Sequence, residues 1–181
     1  MRNTIILVSS AIALSACKPA ATDDYVDRAQ RVEAGEFASA PIESPDTEGA
    51  VWVDSDRPDR LIYGKPGATP LFALACETVE GQRMVHLTRF AIADPQATAL
   101  IALVGNGHAA HLPIKAEWNE RVWLWEGYYF AQSPALEVLT GPRRVEATLP
   151  GAGSVILNAS QRPAELIEAC RQSPADTAGP K

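Results

Sequence analysis

From Ala50 onward the chain is a succession of short apolar runs, each closed by a proline, a glycine or an Asn-Gly step. A strand needs about five or six residues and a helix about eleven or twelve, so runs of this length favour strands. Val51-Trp52-Val53 and Leu61-Ile62-Tyr63 flank the polar loop Asp54 to Asp59. Leu71 to Glu77 and Met84 to Phe90 flank Glu80-Gly81 and read as a hairpin. Leu100 to Val104 and His108 to Ile114 flank Gly105-Asn106-Gly107; an Asn-Gly step accepts the positive φ angles of a tight hairpin. Arg121 to Phe130 reads as one long strand, and Arg143 to Leu149 pairs with Ser154 to Leu157 across Pro150-Gly151-Ala152-Gly153.

Helical signals are fewer. Asp94-Pro95 opens a short helix, with proline at its first position. Ser133 caps another that runs to Leu139. Residues 163–171 form a last helix, with Ser160 as cap and Leu166, Ile167 and Cys170 on one face. No βαβ rhythm and no fixed-period repeat appears. The expected fold is therefore mainly β (α+β): an antiparallel β-sandwich or curled sheet over residues 51–173, with a closing C-terminal helix and a disordered tail at 174–181.

The first fifty residues differ in kind. Arg2 precedes an apolar stretch from Thr4 to Leu14. That stretch is too short for a membrane helix, which needs about twenty residues, and its flanks are those of a signal peptide. Leu14-Ser15-Ala16-Cys17 resembles the lipobox of bacterial lipoproteins. The resemblance implies that residues 1–16 are a lipoprotein signal peptide and that Cys17 becomes a lipid-modified N-terminus. The protein's partner is then the membrane, with the domain facing the periplasm in the bacterial cell envelope. Lipoproteins of this kind carry a diacylglycerol and usually a further acyl chain, which anchors stably where one chain does not. Lys18 stands where some lineages place an aspartate for inner-membrane retention, which favours the outer membrane. The competing readings are ordinary cleavage near Ala11-Ile12-Ala13 and an uncleaved anchor.

Residues 17–50 read as a lipidated cysteine followed by an acidic, Pro/Ala-rich tether. Such a segment buries too little apolar surface to offset its ordering entropy. A short helix is compatible with Tyr25, Ala29 and Val32 on one face, ended by Gly35. The whole chain carries a net charge of −6, and acids crowd into this segment. The basic footprint that nucleic-acid binding needs is absent, so no nucleic-acid partner is expected.

With Cys17 assigned to lipid, Cys76 and Cys170 remain. In an oxidising compartment two such thiols are expected to form a disulfide that pins the last helix to the sheet. A buried free pair and a redox couple are the alternatives; there is no Cys-x-x-Cys, and apolar surroundings raise a thiol pKa. His108 and His111 are three apart, which on a strand puts them on opposite faces, and His86 lies in another strand. No His-Glu-x-x-His or cysteine cluster offers a metal site, and neither a Gly-x-Ser-x-Gly elbow nor a phosphate loop occurs. No metal, cofactor or catalytic residue is expected.

Trp118, Trp123, Trp125, Tyr128, Tyr129 and Phe130 crowd into thirteen residues. In a regular strand Trp123, Trp125 and Tyr129 share one face, and Val122, Leu124, Tyr128 and Phe130 the other. One reading is core. The other is a ligand groove lined by Trp123, Trp125 and Tyr129, with Arg121 and Glu126 at its rim.

Leu74-Ala75-Cys76 and Ile167-Glu168-Ala169-Cys170 are similar to segments of small periplasmic β-sandwich proteins of the type VI secretion accessory and invasion-associated locus B kinds. The domain also resembles uncharacterised proteobacterial envelope lipoproteins. The expectation is a non-catalytic, membrane-anchored lipoprotein that binds an envelope protein or peptidoglycan. The alternatives are a binder or sensor of a small sugar or apolar ligand, and an enzyme with a dispersed site.

Overall fold

The computed structural model describes residues 40–172. The leader, Cys17, the expected helix before Gly35 and the tail at 174–181 lie outside the described residues. Nine strands follow in order: β1 (Val51–Asp54), β2 (Arg60–Gly64), β3 (Phe72–Val79), β4 (Gln82–Ile92), β5 (Thr98–Gly105), β6 (His108–Trp118), β7 (Trp123–Phe130), β8 (Val145–Leu149) and β9 (Gly153–Leu157). A 3-10 turn, Pro134–Leu139, lies between β7 and β8, and the helix α1 (Arg162–Gln172) closes the domain. The strands form one antiparallel sheet in the order β1-β2-β3-β4-β7-β6-β5-β8-β9. This is the mainly β, curled-sheet architecture expected from the short runs.

Two tight turns set the local registers. Glu80 and Gly81 both take positive φ, 50° and 76°, and so do Asn106 and Gly107, 53° and 83°. Turns of that hand match the twist of the strands they join. They pair Val79 with Gln82 and Gly105 with His108.

Alternation then sends one set of side chains inward. Leu61, Tyr63, Phe72, Leu74, Val85, Leu87, Ile101, Leu103, Leu112, Ile114, Trp125, Tyr129, Val145, Val155 and Ile167 are all buried in one core. The sheet folds around that core at β6 and β7. These strands share four rungs, Lys115–Trp118 against Trp123–Glu126. Beyond Glu126 the tyrosine hydroxyl of Tyr129 donates to the Pro113 carbonyl at 2.8 Å. Gly127 makes this possible, because a Cβ there would lie 2.1 Å from the Tyr129 Oη and 3.1 Å from the Pro113 carbonyl oxygen.

The two leaves meet again across the core. The Tyr63 hydroxyl donates to Ile156 O at 2.8 Å and accepts from Asn158 N–H at 3.0 Å, tying β2 to the far end of the sheet. Arg89, only 3% exposed, reaches the β8–β9 turn. Its Nη1 donates to the carbonyls of Leu71 and Phe90, and its Nη2 donates to Ala152 O at 3.0 Å. Among the described residues it is in no ion pair with a carboxylate, and burial lowers its pKa to about 10.

Cys76 and Cys170 are joined by a disulfide that spans 94 residues, with Cα atoms 5.5 Å apart. It fastens α1 to β3. The Arg83 guanidinium donates to the Cys76 sulfur at 2.8 Å.

Three expectations change. The tether does not run unbroken to residue 50. Ile42 N–H donates to Gly151 O, Ser154 N–H donates to the Ser44 hydroxyl, and the Asn158 amide donates to the carbonyls of Thr47 and Ala50. Backbone hydrogen bonds hold this segment, so its lack of large apolar residues concealed it. Asp94-Pro95 opens a turn and not a helix: Ala97 N–H bonds Asp94 O, and Gln96 takes φ 62°. Proline followed by a positive φ is the type II pattern, and Thr98 then starts β5. The third change concerns the aromatic strand.

Candidate functional site

Trp125 and Tyr129 are each 7% exposed and belong to the core. Trp123 is half-buried and packs against Trp118, with ring centres 5.7 Å apart. The face on which the alternative reading placed a groove is therefore the inner one, and the core reading is the one that fits Trp125 and Tyr129. Both faces of β7 are apolar, and the residues it meets on β6 and the core decide which is covered.

A groove lies on the opposite face of the same strand. The registers align Arg60 of β2, Ala75 of β3, His86 of β4 and Tyr128 of β7 in one outward row. The next row holds Ile62, Ala73, Thr88 and Glu126. Leu124 and Phe90 continue the floor. Two loops wall it: Ser55 to Arg57, between β1 and β2, and Asn119 to Arg121, between β6 and β7. Trp118 stands beside the second loop, 52% exposed. The groove's volume is about 680 Å³, within the range of small-molecule sites. Arg121 and Glu126 both line it.

His86 is the chemical centre of the floor, buried to 7% exposure. Its Nδ1 lies 2.9 Å from Glu77 Oε1 and its Nε2 lies 2.9 Å from Glu126 Oε2. Its ring is stacked on Tyr128, with centres 4.1 Å apart. An ionised carboxylate only accepts, and a neutral imidazole carries one N–H. Two carboxylates on one imidazole are satisfied when both nitrogens donate, which makes His86 an imidazolium. Burial by itself would depress its pKa; the bonds from Glu126 and Glu77 outweigh burial and raise it. Burial, with Glu77, Glu126 and Glu117 nearby, pushes the Tyr128 phenol up to about 12.

This arrangement limits the chemistry of the site. With both nitrogens committed, His86 has no lone pair for a metal or for a substrate proton. Among the described residues no group of three or more His, Cys, Asp or Glu side chains is placed to hold a metal ion. His108 and His111 are both exposed on β6. What remains available to a ligand is the Trp118 indole, Phe90, the Tyr128 phenol and the guanidinium groups of Arg57, Arg60 and Arg121.

The His86 cluster was not foreseen. Its signal was the Glu80-Gly81 turn, whose two-residue register sets Glu77 diagonal to His86. Glu126 reaches His86 only through the β4–β7 pairing, which spans some forty residues of sequence.

Among the described residues no helix is long and apolar enough to cross a membrane. Comparison of the chain with protein-family models, with curated proteins and with solved structures finds no match in any of the three.

Proposed function

We propose that the protein is a non-catalytic binding domain, carried on a lipidated Cys17 in the bacterial cell envelope, which holds an envelope component in the groove over β4 and β7. The observation that carries this reading is the contrast within the groove. Its one buried titratable cluster is self-satisfied, with His86 bonded on both sides, while its aromatic and guanidinium groups face an open volume of about 680 Å³. Catalysis by acid and base needs a group free to take or give a proton within reach of the substrate; recognition needs a shaped surface with a few fixed polar groups. The lipobox-like Leu14-Ser15-Ala16-Cys17 supports the anchored location.

The test is cross-linking in intact cells followed by mass spectrometry, comparing the native chain with Cys17→Ser and Trp118→Ala. A discrete adduct lost in both variants supports an anchored groove binder and identifies the partner. An adduct that survives Trp118→Ala refutes the groove, and one that survives Cys17→Ser refutes the need for an anchor.

A further inference from the structure

We infer that the groove takes a saccharide bearing a carboxylate, an inference that rests on the groove being the binding site. Three observations carry it.

The first is the charge left unspent. Arg57, Arg60 and Arg121 line the groove, and among the described residues none of them is in an ion pair. The carboxylates of Glu77 and Glu126 are committed to His86, leaving Asp56 as the acid of the rim. In a chain of net charge −6, three free guanidinium groups around one opening make a local anion site. Guanidinium binds a carboxylate through two parallel hydrogen bonds.

The second is the shape of the apolar part. Trp118, Phe90 and Tyr128 are the aromatic residues that line it. The apolar part is set among Arg57, Arg60, Arg121 and Asp56, which suits the C–H face of a sugar ring better than a lipid tail. Acceptors on Asp56 and donors on the arginines stand together. A hydroxyl both donates and accepts and is served by such a mixed rim, whereas a doubly charged phosphate has no proton to give the Asp56 carboxylate.

The third is the backbone. The floor strands β3, β4 and β7 each have a neighbour on both sides. β4, at the centre of the floor, is paired with β3 and β7 from Met84 to Arg89, so an extended peptide cannot add to the sheet there as peptides do at open edges.

Calorimetric titration of the purified full chain with tri-galacturonate, with neutral maltotriose and with adenosine monophosphate tests this. The expected result is that tri-galacturonate binds at least about tenfold more tightly than either other probe. Changing Arg57→Gln and Arg121→Gln together, both in exposed loops, should reduce its affinity to that of the neutral trisaccharide. Equal binding of the two trisaccharides overturns the acid preference, and tighter binding of the nucleotide overturns the sugar; either result leaves the groove as a site. Binding of none of the three overturns the inference. The groove reading itself then stands or falls on the Trp118→Ala cross-linking comparison.

Discussion

The imidazole of His86 lies nearly parallel to the phenol of Tyr128, 12° between planes, so the buried cation rests on an aromatic face while two carboxylates hold its edge. A cation over a ring is worth about 0.5–2 kcal/mol depending on desolvation, and the carboxylates add the larger part. The three groups hold one another: His86 keeps Glu77 and Glu126 from facing the groove as bare charges, and they keep His86 protonated.

The pH dependence follows in sign. The folded His86 pKa is raised above its unfolded value, near 6.5. Its contribution to stability is complete below about pH 6.5 and is lost as pH rises through the folded pKa. Thermal midpoints measured against pH should therefore fall on the alkaline side, and His86→Gln should remove that component. Nuclear magnetic resonance titration gives the pKa directly. In Glu126→Gln it should drop, while Tyr128→Phe should leave it elevated. A native value below about 6.5 would refute the imidazolium assignment.

Breaking the Cys76–Cys170 bond should cost much of the stability. Its 94-residue span corresponds to roughly 4–5 kcal/mol in the chain-entropy account, with measured losses commonly about 2–5. Urea unfolding of Cys76→Ser with Cys170→Ser, against the oxidised native chain, measures it. Because the bond fastens α1 to the sheet, amide exchange should accelerate most in residues 162–172. Uniform acceleration would count against that local role.

Gly127→Ala should destabilise by about 1–3 kcal/mol through overpacking, since the new methyl displaces the Tyr129 ring from Pro113. Tyr129→Phe removes only the hydroxyl and should cost about 1 kcal/mol. The two lesions act on one contact, so the double variant should lose less than the sum. Strict additivity in denaturant unfolding would show that the contact does not couple them.

Arg89→Met keeps the volume and removes the charge. It leaves the Phe90 and Ala152 carbonyls without their guanidinium donor, and a loss of about 2–4 kcal/mol is expected. A gain in stability would mean that the cost of burying the charge exceeds the value of its bonds.

Local features of the fold were legible in the sequence, and long-range ones were not. Asn106-Gly107 and Glu80-Gly81 announce their hairpins because few residues take positive φ readily. Nothing local announces that β4 pairs with β7 or β5 with β8, since those choices depend on which faces the core can cover. The same limit explains the aromatic strand. Alternation sorts Trp123, Trp125 and Tyr129 from Leu124 and Tyr128, but two apolar faces leave inside and outside undetermined until Gly127 and Pro113 seat Tyr129 inward. Arg89 and His86 were hidden for the opposite reason: both are polar residues in buried positions, held by carbonyls and carboxylates that lie far away in sequence. Cys76 and Cys170 could be paired because a third cysteine already had another assignment.

Asn158 carries a mechanical consequence. Its amide grips Thr47 and Ala50, and its own N–H is bonded to Tyr63. A pull on the chain ahead of residue 40 meets Ile42 on Gly151, then Ser44 on Ser154, and then this clasp before any force reaches β1. Load entering ahead of residue 40 is thus taken first at the β8–β9 hairpin, and it reaches the groove strand β4 through the Arg89 bond to Ala152.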